Sequence, residues 1–198
     1  MKPPFWNHGA AFYQPMILRH AAMWGRVAGL IAKRRVSSVF EVGCGLGHIA
    51  ANVPRYCGVD LNPNVIALAQ QRHTDAEFLV DDWLTMDTAA LVGRFDMVLA
   101  CGVIEHCAHW RPFAEKALAL RPRLLVISFF LSGRAARQHI RVVEKPGCAP
   151  YYENRYPKAD IVEGLAELGQ SGRDEWQTFP HAVGEDALLT LTVRRNHE

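Results

Sequence analysis

Apolar runs and stretches with helical spacing alternate along this chain from Val36 onward. The apolar runs are short and predict buried strands, at residues 38–42, 56–60, 77–81, 95–101 and 124–131. The stretches with helical spacing predict amphipathic helices, at residues 16–34, 65–73, 110–120 and 158–168. Because strands alternate with helices, the pattern indicates a parallel sheet with right-handed crossovers.

The pattern changes near the C-terminus. Residues 175–180 and 187–194 predict two strands on either side of His-Ala-Val-Gly-Glu-Asp, a sequence typical of a hairpin turn. The earlier run at 124–131 is apolar throughout, as expected for a strand covered on both faces. The sequence therefore predicts an α/β domain that ends in an antiparallel hairpin.

Three glycines at alternate positions, Gly43, Gly45 and Gly47, follow the first predicted strand directly. Glycine permits a tight turn and lets a ligand approach the backbone without a Cβ in the way. The apolar run after the turn predicts a helix whose first N–H groups would face that ligand. The dinucleotide fingerprint Gly-x-Gly-x-x-Gly would need a third glycine where His48 stands, so this turn departs from it.

Acidic residues end the next two predicted strands. Asp60 closes the second strand beside the glycine turn, where a carboxylate can accept both hydroxyl groups of a ribose. Asn62 and Pro63 then predict the N-cap and the first position of a helix. Asp81 and Asp82 follow the third strand. Each of these acids could instead be a solvated residue at a strand end.

This order of features resembles the class I S-adenosylmethionine-dependent methyltransferases over residues 36–131. The turn from Glu41 to Gly47 is similar to the first motif of that family, and residues 95–106 are similar to its central strand, which often closes with Glu-His. The resemblance implies a Rossmann-like α/β sheet of seven strands, mostly parallel, with an antiparallel C-terminal hairpin strand and helices on both faces. It also implies S-adenosyl-L-methionine as the cofactor.

The resemblance further implies which residues hold the cofactor. The glycines would surround the methionine moiety and the ribose, while Glu41 or the carbonyl group of Cys101 would hold the methionine ammonium group. Asp82, or else Asp81, would accept a hydrogen bond from the adenine amino group, with Trp83 along the ring. The expected cofactor-binding residues, including Tyr13 as a lid from the N-terminal arm, are Glu41, Gly43, Cys44, Gly45, Gly47, Asp60, Leu61, Asp81, Asp82, Trp83, Cys101 and Tyr13.

Two histidines are candidate catalytic residues. His106 and His109 are three residues apart on the helix expected after the fourth strand, and the ordinary histidine pKa of about 6.5 suits a general base at neutral pH. A base is needed only if the acceptor must lose a proton early, and a structural role for His106 remains open. No metal is expected, because nothing elsewhere in the sequence completes a ligand set with Glu105 and these histidines.

Residues 132–157 match no part of the shared core and are expected to face the substrate. The expected substrate-binding residues are Arg134, Arg137, Arg141, Tyr151, Tyr152 and Tyr156. The arginines have helical spacing and could hold a carboxylate or phosphate, or could form a solvated helix face. The tyrosines could line an aromatic pocket or pack the loop. We expect residues 1–35 to form an arm and helix that cap the cofactor domain at 36–198.

Composition places few further limits. The chain has 198 residues, a hydrophobic content of 49% and a net charge of +2, which suit one ordinary globular domain and do not argue for a polyanionic partner. No apolar run reaches membrane-spanning length, the N-terminus lacks a signal-peptide layout, and the five cysteines form no C-x-x-C pair. A cytoplasmic location without a membrane partner is the natural interpretation.

The expected activity is methyl transfer to an oxygen or nitrogen of a small-molecule acceptor. The arginines of residues 132–157 mildly favour an acidic acceptor. A nucleic acid partner is not expected, since the chain has no Pro-Pro motif after the fourth strand and no separate basic domain. One alternative is an NAD(P)-dependent oxidoreductase, which the glycine spacing disfavours. Another is a non-catalytic binding module or partner subunit with the same fold. The oligomeric state stays open.

Overall fold

The structure is a computed structural model that describes residues 20–132, 140–144, 149–172, 174–181 and 184–194. The described strands are β1 (Ser38–Val42), β2 (Arg55–Asp60), β3 (Glu77–Val80), β4 (Met97–Ala100), β5 (Leu124–Leu131), β6 (Val142–Val143), β7 (Tyr151–Tyr152), β8 (Asp174–His181) and β9 (Gly184–Thr192). The described α-helices are α1 (Ala21–Arg34), α2 (Pro63–Arg72), α3 (Trp110–Ala119) and α4 (Lys158–Glu167).

The main sheet has seven strands in the order β3-β2-β1-β4-β5-β9-β8. Strands β1 to β5 pair in parallel, whereas β9 runs antiparallel to both β5 and β8. A short antiparallel pair, β6 with β7, lies outside this sheet. The predicted mostly parallel sheet with an antiparallel hairpin strand is therefore confirmed. The strand order reverses at β1 and β4, and doubly wound sheets bind ligands outside the carboxyl ends of the strands at such a point.

Both faces of the sheet are covered by helices, as predicted. On one face, α1 packs through Met23, Val27 and Ile31. On the other face, α3 and α4 pack through residues that include Phe113 and Ile161. Strand β5 is buried along nearly all its length, which explains its continuous apolar run. The two covered faces leave the strand ends as the natural place for a ligand.

The predicted helix after the glycine turn is wrong. The chain there forms turns and then a single 3₁₀ turn at Ala50–Asn52 before β2 begins at Arg55. Pro54 disfavours the helical conformation for the residue before it, and Val53 is extended accordingly, with φ −143 and ψ 142. The backbone groups facing a ligand here therefore belong to the turn itself.

The predicted start of the second helix is confirmed. Asn62 is the N-cap of α2 and accepts a hydrogen bond from the Asn64 N–H group, with Pro63 at the first helical position. The turn after β3 contains a 3₁₀ turn at Ala89–Leu91, and Gly93 follows it with φ +72. Both features depend on single residues: the Asn62 side chain caps the helix, and glycine at position 93 readily adopts a positive φ.

Candidate functional site

The glycine turn after β1 has a positive φ at each of its three glycines, Gly43, Gly45 and Gly47. A Cβ on Gly43 would stand 2.3 Å from a methyl group of Val103, and one on Gly47 would stand 2.8 Å from the Phe78 ring. These two glycines are therefore required by protein packing. A Cβ on Gly45 would meet no atom within 4 Å. Gly45 thus has open space beside it, as a ligand-binding turn needs.

Asp60 ties the end of β2 to this turn. Its Oδ2 accepts a hydrogen bond from the Gly45 N–H group at 2.9 Å, and its Oδ1 accepts one from the Asn62 N–H group at 2.9 Å. Burial raises the pKa of the Asp60 carboxyl, while these backbone hydrogen bonds oppose the rise. Leu61 follows with 55% of its surface exposed. The predicted ribose acceptor and the predicted cofactor turn are therefore in direct contact.

Glu41 is fully buried in β1, next to the turn. The Tyr56 hydroxyl group donates a hydrogen bond to its Oε2, whereas Oε1 has no hydrogen-bond partner. Burial raises the pKa of Glu41 to about 8. Cys101 lies nearby at the end of β4, and the thiol pKa of Cys101 is raised by burial and by the charge of Glu41. A buried carboxyl oxygen without a partner is suited to a hydrogen-bond donor brought by a ligand.

The acids after β3 lie at the same edge of the sheet. The Asp81 N–H group donates to the Asp60 carbonyl at 3.2 Å, and the Asp81 carboxylate accepts from the Asp82 N–H group. The Asp82 carboxylate accepts from the Leu84 N–H group at 2.9 Å and so begins a turn. Both acids can still accept further hydrogen bonds, because each carboxylate oxygen has two lone pairs.

Trp83 differs from its expected position. Its side chain is only 4% exposed and packs in the core, with ring centroids 5.7 Å from Phe40 and 5.5 Å from Phe113. An indole buried in this way has no face open for an adenine ring. The prediction that Trp83 lies along the ring therefore disagrees with the structure. The cause is the turn at Asp82, which directs the next side chain inward.

The two histidines are not on one helix, so that prediction is wrong. His106 ends a 3₁₀ turn at Ile104–His106, while His109 is the exposed, extended residue before α3. His106 Nδ1 lies 2.8 Å from the Tyr152 carbonyl, which can only accept, so Nδ1 carries the proton and Nε2 carries the lone pair. Burial lowers the pKa of His106 to about 4, so its ring is neutral at physiological pH.

Residues 151–156 are fastened to the loop after β4 by a buried polar network centred on Asn154. The Asn154 side chain, which is fully buried, donates to the Cys107 carbonyl at 2.6 Å, and its backbone N–H group donates to the Glu105 carbonyl at 2.7 Å. The Tyr156 hydroxyl donates to the Ile104 carbonyl at 3.3 Å. This segment therefore forms one wall beside the ends of β4 and β5.

The predicted substrate-binding residues have different environments. Tyr156 is fully buried against Phe129, so it packs the wall and does not line a pocket. Tyr151 is 9% exposed and meets the His106 ring edge-on, while Tyr152 is 36% exposed. The Arg141 side chain is 59% exposed and lies 3.7 Å from the Glu153 carboxylate. Three other candidates, Arg134, Arg137 and Tyr13, lie outside the described residues.

The described residues contain neither a metal-binding cluster nor a membrane-spanning helix. No group of three or more His, Cys, Asp or Glu side chains there is arranged to hold a metal ion. Within the same ranges, no helix combines the length and the apolar character that crossing a membrane requires.

Several residues of the site were missed by the sequence analysis. Tyr56 is the partner of Glu41, and Ser128 of β5 accepts a hydrogen bond from the Gly102 N–H group at 2.8 Å. Val103 packs against Gly43, and Asn154 holds the wall. Ser128 and Asn154 could have been noticed in the sequence. Ser128 interrupts an apolar run and Asn154 lies in a tyrosine-rich loop, and a polar side chain buried in such surroundings needs a hydrogen-bond partner. Tyr56 and Val103 gave no such signal, since both look like ordinary core residues.

Comparison with known proteins agrees with this geometry. Residues 40–122, which contain the glycine turn, Asp60 and the loop after β4, match the model of a family described as a methyltransferase domain. No curated protein sequence matches the chain significantly.

Solved methyltransferase structures share the fold. Magnesium protoporphyrin IX methyltransferase from Synechocystis, with bound S-adenosylhomocysteine, has a TM-score of 0.65 and 18% identity over 86% of this chain and 82% of its own. The 1,6-didemethyltoxoflavin-N1-methyltransferase of Burkholderia thailandensis has a TM-score of 0.64 and 18% identity over 96% and 92%.

A sugar N-methyltransferase from Streptoalloteichus has a TM-score of 0.60 and 20% identity over 92% of this chain and 93% of its own. At these identities the solved structures establish the fold alone. Residues 40–122 thus match a methyltransferase-domain family, and the chain has the Rossmann-like fold that these methyltransferase structures share.

Proposed function

We propose that this protein binds S-adenosyl-L-methionine at the carboxyl ends of β1, β2 and β4 and transfers its methyl group to an oxygen or nitrogen of a small-molecule acceptor. The contact between the Asp60 carboxylate and the Gly45 N–H group is the observation that supports this most directly. It joins a ribose-type acceptor to a turn whose middle glycine has open space on its Cβ side.

The residues at this edge fit the polar groups of the cofactor. The Asp60 carboxylate accepts the Gly45 and Asn62 N–H groups, and a carboxylate has about four lone-pair sites, so it can also accept from a ribose hydroxyl group. Glu41 Oε1 is buried without a partner and suits an ammonium group, directly or through water. Asp81 and Asp82 are the acceptors available for an adenine amino group. Trp83 is left out of this set because it packs in the core.

When bound, S-adenosylmethionine supplies a sulfonium whose methyl group is electrophilic. The task of the protein is to hold the acceptor in line with that methyl group and to exclude water. Good orientation alone can contribute roughly 7–11 kcal/mol to the rate. The wall formed by residues 151–156 is well suited to this task, because Asn154 and Tyr156 fix it rigidly to the loop after β4.

His106 suits orientation better than strong base catalysis. A ring nitrogen with a pKa of about 4 is a weak proton acceptor at neutral pH. A neutral imidazole ring can take part in hydrogen bonding, which suits a role in orienting the acceptor. His109 is exposed at the start of α3 and is the weaker candidate.

The acceptor class is supported by the kind of protein that shares the fold. The three similar structures described above are named for methylation of a porphyrin, a toxoflavin precursor and a sugar. In our proposal residues 132–157 face such a small molecule, residues 1–35 cap the site, and the protein acts in the cytoplasm. The expected acidic character of the acceptor gains no support from Arg141, which is exposed beside Glu153.

Calorimetry tests the proposal. S-adenosylmethionine and S-adenosylhomocysteine should both bind, and NAD and NADP should not. Incubation of metabolite extracts with methyl-labelled S-adenosylmethionine should then give a labelled small molecule. Binding of NAD in place of S-adenosylhomocysteine would favour the oxidoreductase. Binding of S-adenosylhomocysteine without any labelled product would favour the non-catalytic module.

A further inference from the structure

Like Glu41, Glu105 carries a buried carboxyl group, and the proposed cofactor contacts do not involve it. Its side chain is 1% exposed, and its Oε2 has no hydrogen-bond partner. Its Oε1 lies 3.9 Å from the point where a Cβ on Gly102 would stand. Leaving a buried polar atom without a partner is unfavourable. A buried carboxyl oxygen without a partner suits a ligand that brings a hydrogen-bond donor.

The position of Glu105 separates it from the cofactor contacts. Glu41 and Glu105 both raise the pKa of the Cys101 thiol, after burial, so Cys101 is near both carboxyl groups. Glu41 belongs to the strand that leads into the glycine turn. Glu105 instead belongs to the loop after β4, and its carbonyl group accepts the Asn154 N–H group of the opposite wall. Glu105 therefore lies on the acceptor side of the proposed site.

The charges around Glu105 are mainly negative. Burial, together with the nearby carboxylates of Asp186 and Glu153, raises the pKa of Glu105 to about 8. The basic groups near this cluster contact those two neighbours: His20 Nδ1 lies 3.5 Å from Asp186, and Arg141 lies 3.7 Å from Glu153. Among the described residues, no basic side chain forms an ion pair with Glu105. The other titratable groups that interact with it are the Cys101 and Cys107 thiols and the Tyr156 hydroxyl group.

We propose that Glu105 anchors an amine-binding subsite, so that the methyl acceptor is a primary or secondary amine whose N–H group donates to Glu105 Oε2. This rests on the proposed methyl transfer and specifies its substrate class. An amine supplies the donor that Oε2 lacks, and its ammonium form is favoured beside the ionised Glu105 carboxylate. Because an ammonium nitrogen has no lone pair, the Glu105 carboxylate takes one of its protons before the nitrogen can accept a methyl group. An acidic acceptor would place like charges together. The earlier expectation of an acidic acceptor is thus replaced by a basic one.

The first experiment checks that Glu105 does not serve the cofactor itself. Calorimetry would compare S-adenosylmethionine with S-adenosylhomocysteine on the wild-type protein, on Glu105→Gln and on the control Glu163→Gln, which changes an exposed acid of α4 outside the cluster. We expect the ratio of the two affinities to be the same in all three proteins. A changed ratio in Glu105→Gln alone would mean that Glu105 faces the sulfonium charge, and would overturn the proposal. Absence of binding to the wild type would instead refute the proposed function.

The second experiment uses three probes that differ in one group: 2-phenylethylamine, 2-phenylethanol and 3-phenylpropanoic acid. With S-adenosylhomocysteine present, we expect the amine to bind most tightly to the wild-type protein. Glu105→Gln should weaken amine binding about tenfold or more, while Glu163→Gln should change it little. Circular dichroism and thermal unfolding would verify that both variants fold.

Proton release gives an independent measure. An ammonium group bound beside Glu105 favours its ionised form, so amine binding near pH 7 should release a proton from the wild type and not from Glu105→Gln. Calorimetry in two buffers of different ionisation enthalpy would detect this difference. The proposal is overturned if the acid or the alcohol binds as tightly as the amine, if amine binding is undetectable, or if Glu105→Gln binds the amine like the wild type.

Discussion

Replacement of Asp60 by asparagine should weaken cofactor binding strongly while leaving the fold intact. Asp60 Oδ2 accepts the Gly45 N–H group and Oδ1 accepts the Asn62 N–H group, each at 2.9 Å. In Asp60→Asn one of these oxygens becomes an NH₂ group, which cannot accept a hydrogen bond from a backbone N–H group or from a ribose hydroxyl. The change therefore removes a backbone contact of the turn together with a contact to the cofactor.

The expected magnitude follows from the charge of the acceptor. Hydrogen bonds to charged groups contribute about 1.5–3 kcal/mol each, and every 1.4 kcal/mol changes a dissociation constant about tenfold. Loss of one such bond to the ribose should therefore raise the dissociation constant of S-adenosylhomocysteine by roughly 10–150-fold. Loss of the backbone contact would raise the dissociation constant further, because the turn would then lose conformational entropy when the cofactor binds.

Calorimetric titration of S-adenosylhomocysteine measures this effect directly. Asp75→Asn is a matched control, since Asp75 is an exposed acid in the turn before β3. It lies at the amino end of a strand, whereas Asp60 lies at the carboxyl end of its neighbour β2. The control should bind like the wild type, and thermal unfolding should show that both variants are folded. If folded Asp60→Asn also binds like the wild type, Asp60 does not hold the ribose and the reasoning is refuted.

Three further changes test other parts of the site. Gly45→Val should abolish S-adenosylhomocysteine binding, because the side chain would fill the open space beside a residue with φ +51; Gly93→Val carries similar backbone strain at φ +72 away from the turn and should still bind in the same titration. Glu41→Gln should remove a pH dependence of stability. The folded protein keeps a proton on Glu41 up to a pKa of about 8 that the unfolded chain loses near its ordinary 4.5, so the wild-type free energy of unfolding should fall as pH rises between these values. Urea unfolding across that range should show a flatter profile in the variant, and an unchanged profile would mean that Glu41 is not buried as a neutral acid. Trp83→Phe should lower the unfolding temperature and leave cofactor affinity unchanged, since the indole packs between Phe40 and Phe113; weaker cofactor binding in this variant would restore its role beside the adenine.

The identity of the strands could be read from the sequence because their signals are local. A strand covered on both faces must be apolar along its length, and β5 shows this over Leu124–Leu131. The cap of α2 is equally local, since Asn62 bonds to the N–H group two residues later. The helix predicted after the glycine turn failed for a local reason too. Pro54 disfavours the helical conformation at Val53, which is extended in the structure.

The site itself was predictable only in part. Asp60 and the glycines could be placed together because the carboxyl ends of neighbouring parallel strands meet at one edge of the sheet. The direction of a side chain at the end of a strand depends on the turn that follows, and this separates Trp83 from Asp82. Sequence spacing also placed His106 and His109 on one helix, whereas the chain changes conformation between them.

By itself, the sequence determined the α/β class, the order of the strands along the chain and the positions of the glycine turn and the acid after β2. These features depend on hydrophobic period and on residues with special backbone behaviour, which act over a few neighbours. Only the tertiary structure decided which buried groups meet across the chain. Tyr56 completes Glu41, Asn154 fastens the wall to the loop after β4, and Glu105 keeps an oxygen without a partner. Such pairings link residues far apart in sequence, and their hydrogen bonds are fixed only when the sheet and its loops have packed.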